Sequence, residues 1–150
     1  MDYEHTQKAP LAYVLVAAAL AALAIAWVGR DEPAAWIVAV GVAATLVLVA
    51  AMFSHLTVRD EGHCLAIRYG PLPVFQKRFP YADIQSVQKG RTSIIDGWGI
   101  HWVPGRGTTY NLWGFDCAVL RVGGKTVRIG TDDVDNLVAF LRQKIGRQTE

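Results

Sequence analysis

Two cysteines, four histidines and a few serines are the residues of this chain whose types could carry chemistry, and their spacing decides against most of it. Cys64 and Cys117 sit in separate apolar alternating runs, and neither belongs to a C-x-x-C pair or any other metal-type spacing. They read as reduced structural thiols, since a disulfide needs an oxidising compartment. His63 precedes Cys64 directly, but neighbours on a strand point to opposite faces, and no H-x-E, HExxH or second pair completes a metal site. His55 and His101 read as ordinary strand residues. Gly97-Trp98-Gly99 and Gly105-Arg106-Gly107 each contain G-x-G, yet neither continues to a third glycine or to a Lys-Ser/Thr pair that could cradle phosphate. Ser54, Ser86 and Ser93 lack the G-x-S-x-G setting of an activated nucleophile. The expectation is a non-enzyme that uses neither metal nor cofactor.

Aromatic and basic residues offer a different chemistry, recognition. Trp98, Ile100 and Trp102 alternate on one strand face, with Trp113 further along beyond a Gly-rich loop. Core packing is the first reading of that alternation. If the face is exposed instead, Trp98, Trp102 and Trp113 beside Arg91 and Arg106 would suit a peptide, a partner protein or lipid headgroups. Arg121, Lys125 and Arg128, around Gly123-Gly124, are either solvated hairpin charge or a set of lipid-facing cations, worth ~1 kcal/mol each near an anionic surface.

The elements that must position these residues fall into two unlike parts divided near Ser54. Residues 1–10 read as an N-terminal tail. Leu11 to Val28 and Trp36 to Phe53 are uncharged runs, and 18 residues of helix reach roughly 27 Å, close to the ~30 Å hydrocarbon core of a bilayer. Gly29 suits the end of the first helix and Pro33 the first turn of the second, while Trp27 and Trp36 would lie at one interface. The expectation is a tight transmembrane hairpin, packed through the small-residue rows Ala18, Ala22, Ala26 and Gly41, Thr45. Ala24-Ile25-Ala26 imitates a signal-peptidase site, but the run is long, its leading segment is partly acidic, and a second span follows at once. No ionisable residue interrupts either run, which argues against a transporter or channel acting alone. The short loop 29–35 holds one Arg and two acids, whereas Arg59, Arg68, Lys77 and Arg78 follow the second span, so both termini are expected in the cytosol.

Residues 54–146 read as a soluble, β-rich domain, followed by a tail at 147–150. After Ser54 the chain carries thirteen of the 15 basic residues and nine of the 13 acids, too mild an excess for a nucleic-acid binder. Strands are expected at His55 to Arg59, His63 to Tyr69, Val74 to Phe79, Ile84 to Lys89 and Trp98 to Val103, with turns at Asp60-Glu61-Gly62, at Gly70 to Pro73 and at Asp96-Gly97. Pro104 to Gly107 reads as a loop. Cys117 to Val122 and Lys125 to Gly130 flank Gly123-Gly124, the strongest hairpin signal in the chain. A closing helix begins near Thr131 or Asp132. Val134, Leu137, Val138, Leu141 and Ile145 make one apolar stripe, acids stand at its start, and Arg142, Lys144 and Arg147 stand towards its end.

The sum is a transmembrane hairpin followed by a bent antiparallel sheet of about six or seven strands capped by one helix. That order, with Tyr69-Gly70, Asp83-Ile84, Gly97-Trp98-Gly99-Ile100 and Ile129-Gly130-Thr131-Asp132-Asp133, resembles the bacterial pleckstrin-homology-like domains attached to one or two membrane spans. The resemblance covers both anchors and about residues 54–146, and it implies a binding or assembly module without catalytic residues. It departs from phosphoinositide-binding relatives, which place a basic cluster in the first strand-to-strand loop, where this chain has Asp60, Glu61, Gly62 and His63. The expected function is a membrane-tethered protein-interaction or self-association module. The alternative is an anchored sensor of a lipid headgroup or small ligand, which would need a concave pocket with convergent polar groups.

Overall fold

In the computed structural model, which describes residues 2–29, 32–71, 74–93 and 98–146, the hydrophobic hairpin interrupts a sheet rather than preceding one. Strand β1 (Glu4–Lys8) leads into helix α1 (Pro10–Val28); helix α2 (Pro33–Met52) returns into β2 (His55–Asp60). The two strands pair antiparallel with Lys8 opposite His55, and the Ala9 N–H donates to the Ser54 carbonyl at 3.0 Å. The residues read as a tail are therefore an edge strand. Its sequence, EHTQK, conceals this: four of its five side chains stay at least partly in water, and only Gln7 is buried.

Each helix opens with proline, whose missing N–H has no partner to lose in the first turn. Both are long and apolar enough to cross a membrane, with mean hydropathies of 2.5 and 2.4. Their outer surfaces remain bare: Tyr13, Val14, Leu20, Ile25, Ile37 and Val38 are exposed, an apolar area that needs covering. Between the helices lie Ala19, Ala26, Ala43 and Ala50, all buried. That seven-residue spacing replaces the four-residue rows expected from composition. Of those rows Ala26 is buried in the seam and Ala22 is half-buried beside it, while a Cβ on Gly41 would meet nothing within 4 Å and Thr45 spends its hydroxyl on the Gly41 carbonyl at 2.8 Å. Trp27 and Trp36 meet edge to face at the tip, 6.1 Å apart.

The rest of the chain forms two sheets and a helix, a correction to the single sheet of six or seven strands. Strands β3 (Cys64–Tyr69) and β4 (Phe75–Pro80) complete a four-stranded sheet in the order β1-β2-β3-β4. After a 3-10 turn (Tyr81–Asp83), β5 (Ile84–Arg91), β6 (Gly99–Val103), β7 (Gly107–Asn111), β8 (Asp116–Val122) and β9 (Lys125–Gly130) make a five-stranded sheet in the order β5-β8-β9-β7-β6. It is not wholly antiparallel, because β7 runs parallel to β9 with Thr108 beside Val127. The β8–β9 hairpin turns where expected, with φ of 53° at Gly123 and 77° at Gly124, the positive pair that a tight two-residue turn requires. The expected Asp96-Gly97 turn, along with Arg30 and Arg147, falls outside the described residues.

The inner faces of the two sheets share one core containing Leu56, Leu65, Ile67, Tyr69, Leu120 and Ile129. Helix α3 (Val134–Gly146) lays its expected stripe over β5 and β8, burying Val134, Leu137, Val138, Phe140 and Leu141. Thr131 Oγ1 accepts the Asp133 N–H at 3.0 Å, which closes the turn into the helix.

Candidate functional site

The side of the sandwich opposite α3 is unsealed. Strand β4 ends one sheet and β6 ends the other, so each pairs on one side only. Along β6 the register sets Ile100 opposite Tyr110 and Trp102 opposite Thr108, and Tyr110 sits beside Ile129 of the core. Ile100 and Trp102 therefore belong to the inner face, as their alternation implied. They are nonetheless 40% and 70% exposed, because the four-stranded sheet stops at β4 and, among the described residues, no strand or helix lies over them. Between the two edges is a cleft of about 180 Å³, lined by Ile67, Tyr69, Phe75, Ile100, Tyr110 and Lys77. Val74, 60% exposed, stands at its rim.

Lys77 sits opposite Ile67 and so points to the inner side, where it makes no ion pair among the described residues. An inward-pointing charge on an edge strand discourages indiscriminate pairing with other edges. The cleft is thus mainly apolar, with Lys77 and Gln76 as the charged and amide groups of its lining, a chemistry suited to an apolar segment bearing an acid or a free carbonyl. No oriented nucleophile and base lie in it.

The residues proposed as one partner surface are split by the fold into three places. Trp98 and Trp113 pack on each other with ring centres 4.7 Å apart, at the end of the domain nearest the helices. Trp102 lies further along β6, and Arg106 is in the turn beyond it, its carbonyl accepting the Arg128 guanidinium. Arg91 is at the end of β5, the opposite edge of the same sheet, 3.5 Å from Asp116. Arg121, Lys125 and Arg128 gather around the Gly123-Gly124 turn, which lies at the end of the sheet away from the helices. Of the residues that complete the cleft, Tyr110 escaped the sequence reading because Gly107–Asn111 carries no strand signal, while Val74 and Phe75 fall in or beside an expected strand that sequence alone does not aim at β6.

The β2–β3 turn is ionic, but its charges are paired. Asp60, with its side chain only 2% exposed, lies 2.5 Å from Lys144 Nζ and accepts the Tyr81 hydroxyl and the Gly62 N–H at 2.8 Å each. Burial pushes its carboxyl upward, yet these donors outweigh burial and hold it below the ordinary aspartate value. Hydrogen bonds from Arg78 and then Arg59 hold Glu61 at about 2. With its cations occupied by its own acids, this turn has no vacancy for a phosphate. Cys64 and Cys117 are both buried thiols, and among the described residues no group of three or more His, Cys, Asp or Glu is placed to hold a metal.

No family model matches the sequence, and neither a curated protein nor a solved structure matches it significantly. The open corner between β4 and β6 is therefore weighed on its own geometry.

Proposed function

We propose that this chain is a membrane-tethered, non-catalytic interaction module whose partner protein, or a second copy of itself, docks at the open corner between β4 and β6. The observation that carries the reading is Trp102, 70% exposed on an edge strand although its side belongs to the inner face of the sheet. Buried tryptophan contributes more binding energy than almost any other residue at an interface. A partner segment laid along β6 would pair its unused backbone groups and cover Ile100 and Trp102 at once, a recognition mode that derives affinity from main-chain bonds and selectivity from side-chain pockets.

The bare apolar helices support the membrane tether. The β1–β2 pairing brings the start of the chain to the same end of the hairpin as the domain. Basic residues concentrated at that end, beginning with Lys8 and Arg68, favour the cytosolic side of a bacterial inner membrane. Two sheets closed on one side by a C-terminal helix agree in outline with a pleckstrin-homology-like domain, and a family of that kind fits a binding role. Headgroup sensing has less support, because the basic hairpin turn lies away from the membrane end and the β2–β3 turn is saturated by its own ion pairs.

A photo-reactive phenylalanine analogue in place of Trp102 tests the reading in intact cells. Cross-linking to one discrete protein is expected from position 102, with none from the same analogue at Gln143 on α3. Equal, diffuse labelling from both positions would remove the open corner as a docking site.

A further inference from the structure

The membrane end of the domain carries a second apolar surface, distinct from the open corner. Trp98 and Trp113 are 45% and 37% exposed despite packing on each other, and Phe115 beside them is 40% exposed. A cleft of about 230 Å³ separates Trp98 from the helices; Leu11, Ala12 and Leu15 of α1 and Val49 of α2 line its far wall, with Phe53 at its floor. Its lining is almost wholly apolar. The loop that presents Trp113 is held in place from β1, where buried Gln7 donates to the Trp113 carbonyl at 2.9 Å. Asn111 Nδ2 donates to the Gly114 carbonyl at 3.0 Å, and the Tyr69 hydroxyl, on the core side, donates to the carbonyls of Gly99 and Asn111.

The length of the helices fixes the depth of this surface. A helix of 19 residues rises about 28 Å, no more than the ~30 Å hydrocarbon thickness it must cross. There is no slack at either end, so the first turns of α1 must lie inside the membrane boundary. Leu15 stands about 7 Å along the axis from Pro10, and the cleft that Trp98 bounds reaches that level. Water in such a cleft would face apolar walls on both sides. The surface is also continuous with the bare flanks of α1 and α2, so whatever covers those flanks meets Trp98 at their base.

We propose that the domain is seated in the membrane rather than suspended above it: Trp98, Trp113 and Phe115 occupy the interfacial layer of the bilayer, and the cleft between Trp98 and α1 is filled by a lipid acyl chain. The proposal rests on the reading of α1 and α2 as membrane-spanning. Tryptophan favours this layer because its ring is mostly apolar while its N–H can reach water or headgroups. Trp27 and Trp36 at the tip of the hairpin would then mark one interface and Trp98 and Trp113 the other, giving the protein an aromatic belt at both levels although the second pair comes from the β-domain.

The test uses the full chain in phosphatidylcholine vesicles, with or without lipids brominated in the upper acyl chain. Three variants each retain part of the tryptophan set, the others being changed to phenylalanine: one keeps Trp98 and Trp113, one keeps Trp27 and Trp36, and one keeps Trp102. Bromine is expected to reduce emission from the Trp98/Trp113 variant at least twofold, to quench the Trp27/Trp36 variant comparably, and to leave Trp102 unchanged. Quenching of Trp27 and Trp36 without quenching of Trp98 and Trp113 overturns the seating while leaving the hairpin inserted. Loss of quenching at both pairs overturns the spanning reading and the seating with it. Protection of Trp98 and Trp113 from both bromine and aqueous iodide assigns the surface to a second protein copy and overturns the lipid. A nitroxide on Phe115→Cys gives an independent measure, with oxygen expected to reach it more readily than a water-soluble nickel complex.

Discussion

At one side of the sandwich, Leu137 and Leu141 are fully buried, Tyr81 meets Phe140 edge-on at 6.4 Å, and Tyr3 stacks on the same Phe140 at 5.2 Å. At the other side, Ile100 and Trp102 lie on the same inner face of the same sheet and remain in solvent. Both corners carry large apolar side chains, on a helical stripe in α3 and on alternate positions in β6. What separates them is cover: α3 crosses β5 and β8, whereas beyond β4 no further element follows. A hydrophobic side chain therefore serves stability at one corner and is available for recognition at the other, and the difference is set by where neighbouring elements stop.

The widest separation is expected in truncation energetics. Leu141→Ala should cost about 2–5 kcal/mol, since it opens a cavity under α3, while Trp102→Ala should change stability by no more than about 0.5 kcal/mol. Denaturation midpoints of the two variants in detergent check this; equal losses would mean that the β4–β6 corner is packed after all. The ion pair at the closed corner comes next. Lys144→Met leaves the buried Asp60 carboxylate without its cation and should cost about 1.5–3 kcal/mol. Asp60→Asn introduced together with it should recover part of that loss, a double-mutant cycle that isolates the pair.

Acid should act on the β2–β3 turn, whose Asp60 is tied to α3 by Lys144 and whose Glu61 is tied to β4 by Arg78. Glu61, held at about 2 against an ordinary value of 4.5, binds its proton more readily in the unfolded chain, so its contribution is complete above pH 4.5 and disappears as pH falls towards 2. Asp60 adds to the loss on the same side, below 3.8. Melting temperature should fall across that window, and Glu61→Gln should flatten part of the decline. The smallest effect belongs to the open corner: Ile100→Ser should leave the melting temperature nearly unchanged at any pH. A clear fall there would show that Ile100 is covered in the folded protein.

The two long apolar helices, the β8–β9 hairpin and the stripe of α3 were legible because each is specified locally, by an uncharged run, a Gly-Gly turn or a 3.6-residue period. β1 and β7 were not. EHTQK has no apolar face to reveal it, and its single buried side chain, Gln7, is polar. GTTYN begins with a glycine and ends with an asparagine, both turn-like residues, and one of its two partners is a parallel strand far along the chain. For Trp98 and Trp102 the spacing located the strand correctly but could not report their exposure, which depends on where a different sheet ends. The three tryptophans also read as one surface only in sequence, because β6 carries Trp102 away from the pair at the membrane end.

The pairing of β1 with β2 ties synthesis to topology. A ribosome releases β1 long before β2, and the two can meet only after both helices of the hairpin have been made and have brought the chain back to its starting end. If the hairpin failed to close, Lys8 and His55 would be held apart, Gln7 would have no carbonyl to hold, and β2 would present a raw edge to proteases. The completed four-stranded sheet is thus a clasp across the base of the hairpin, which can close only when both helices lie side by side.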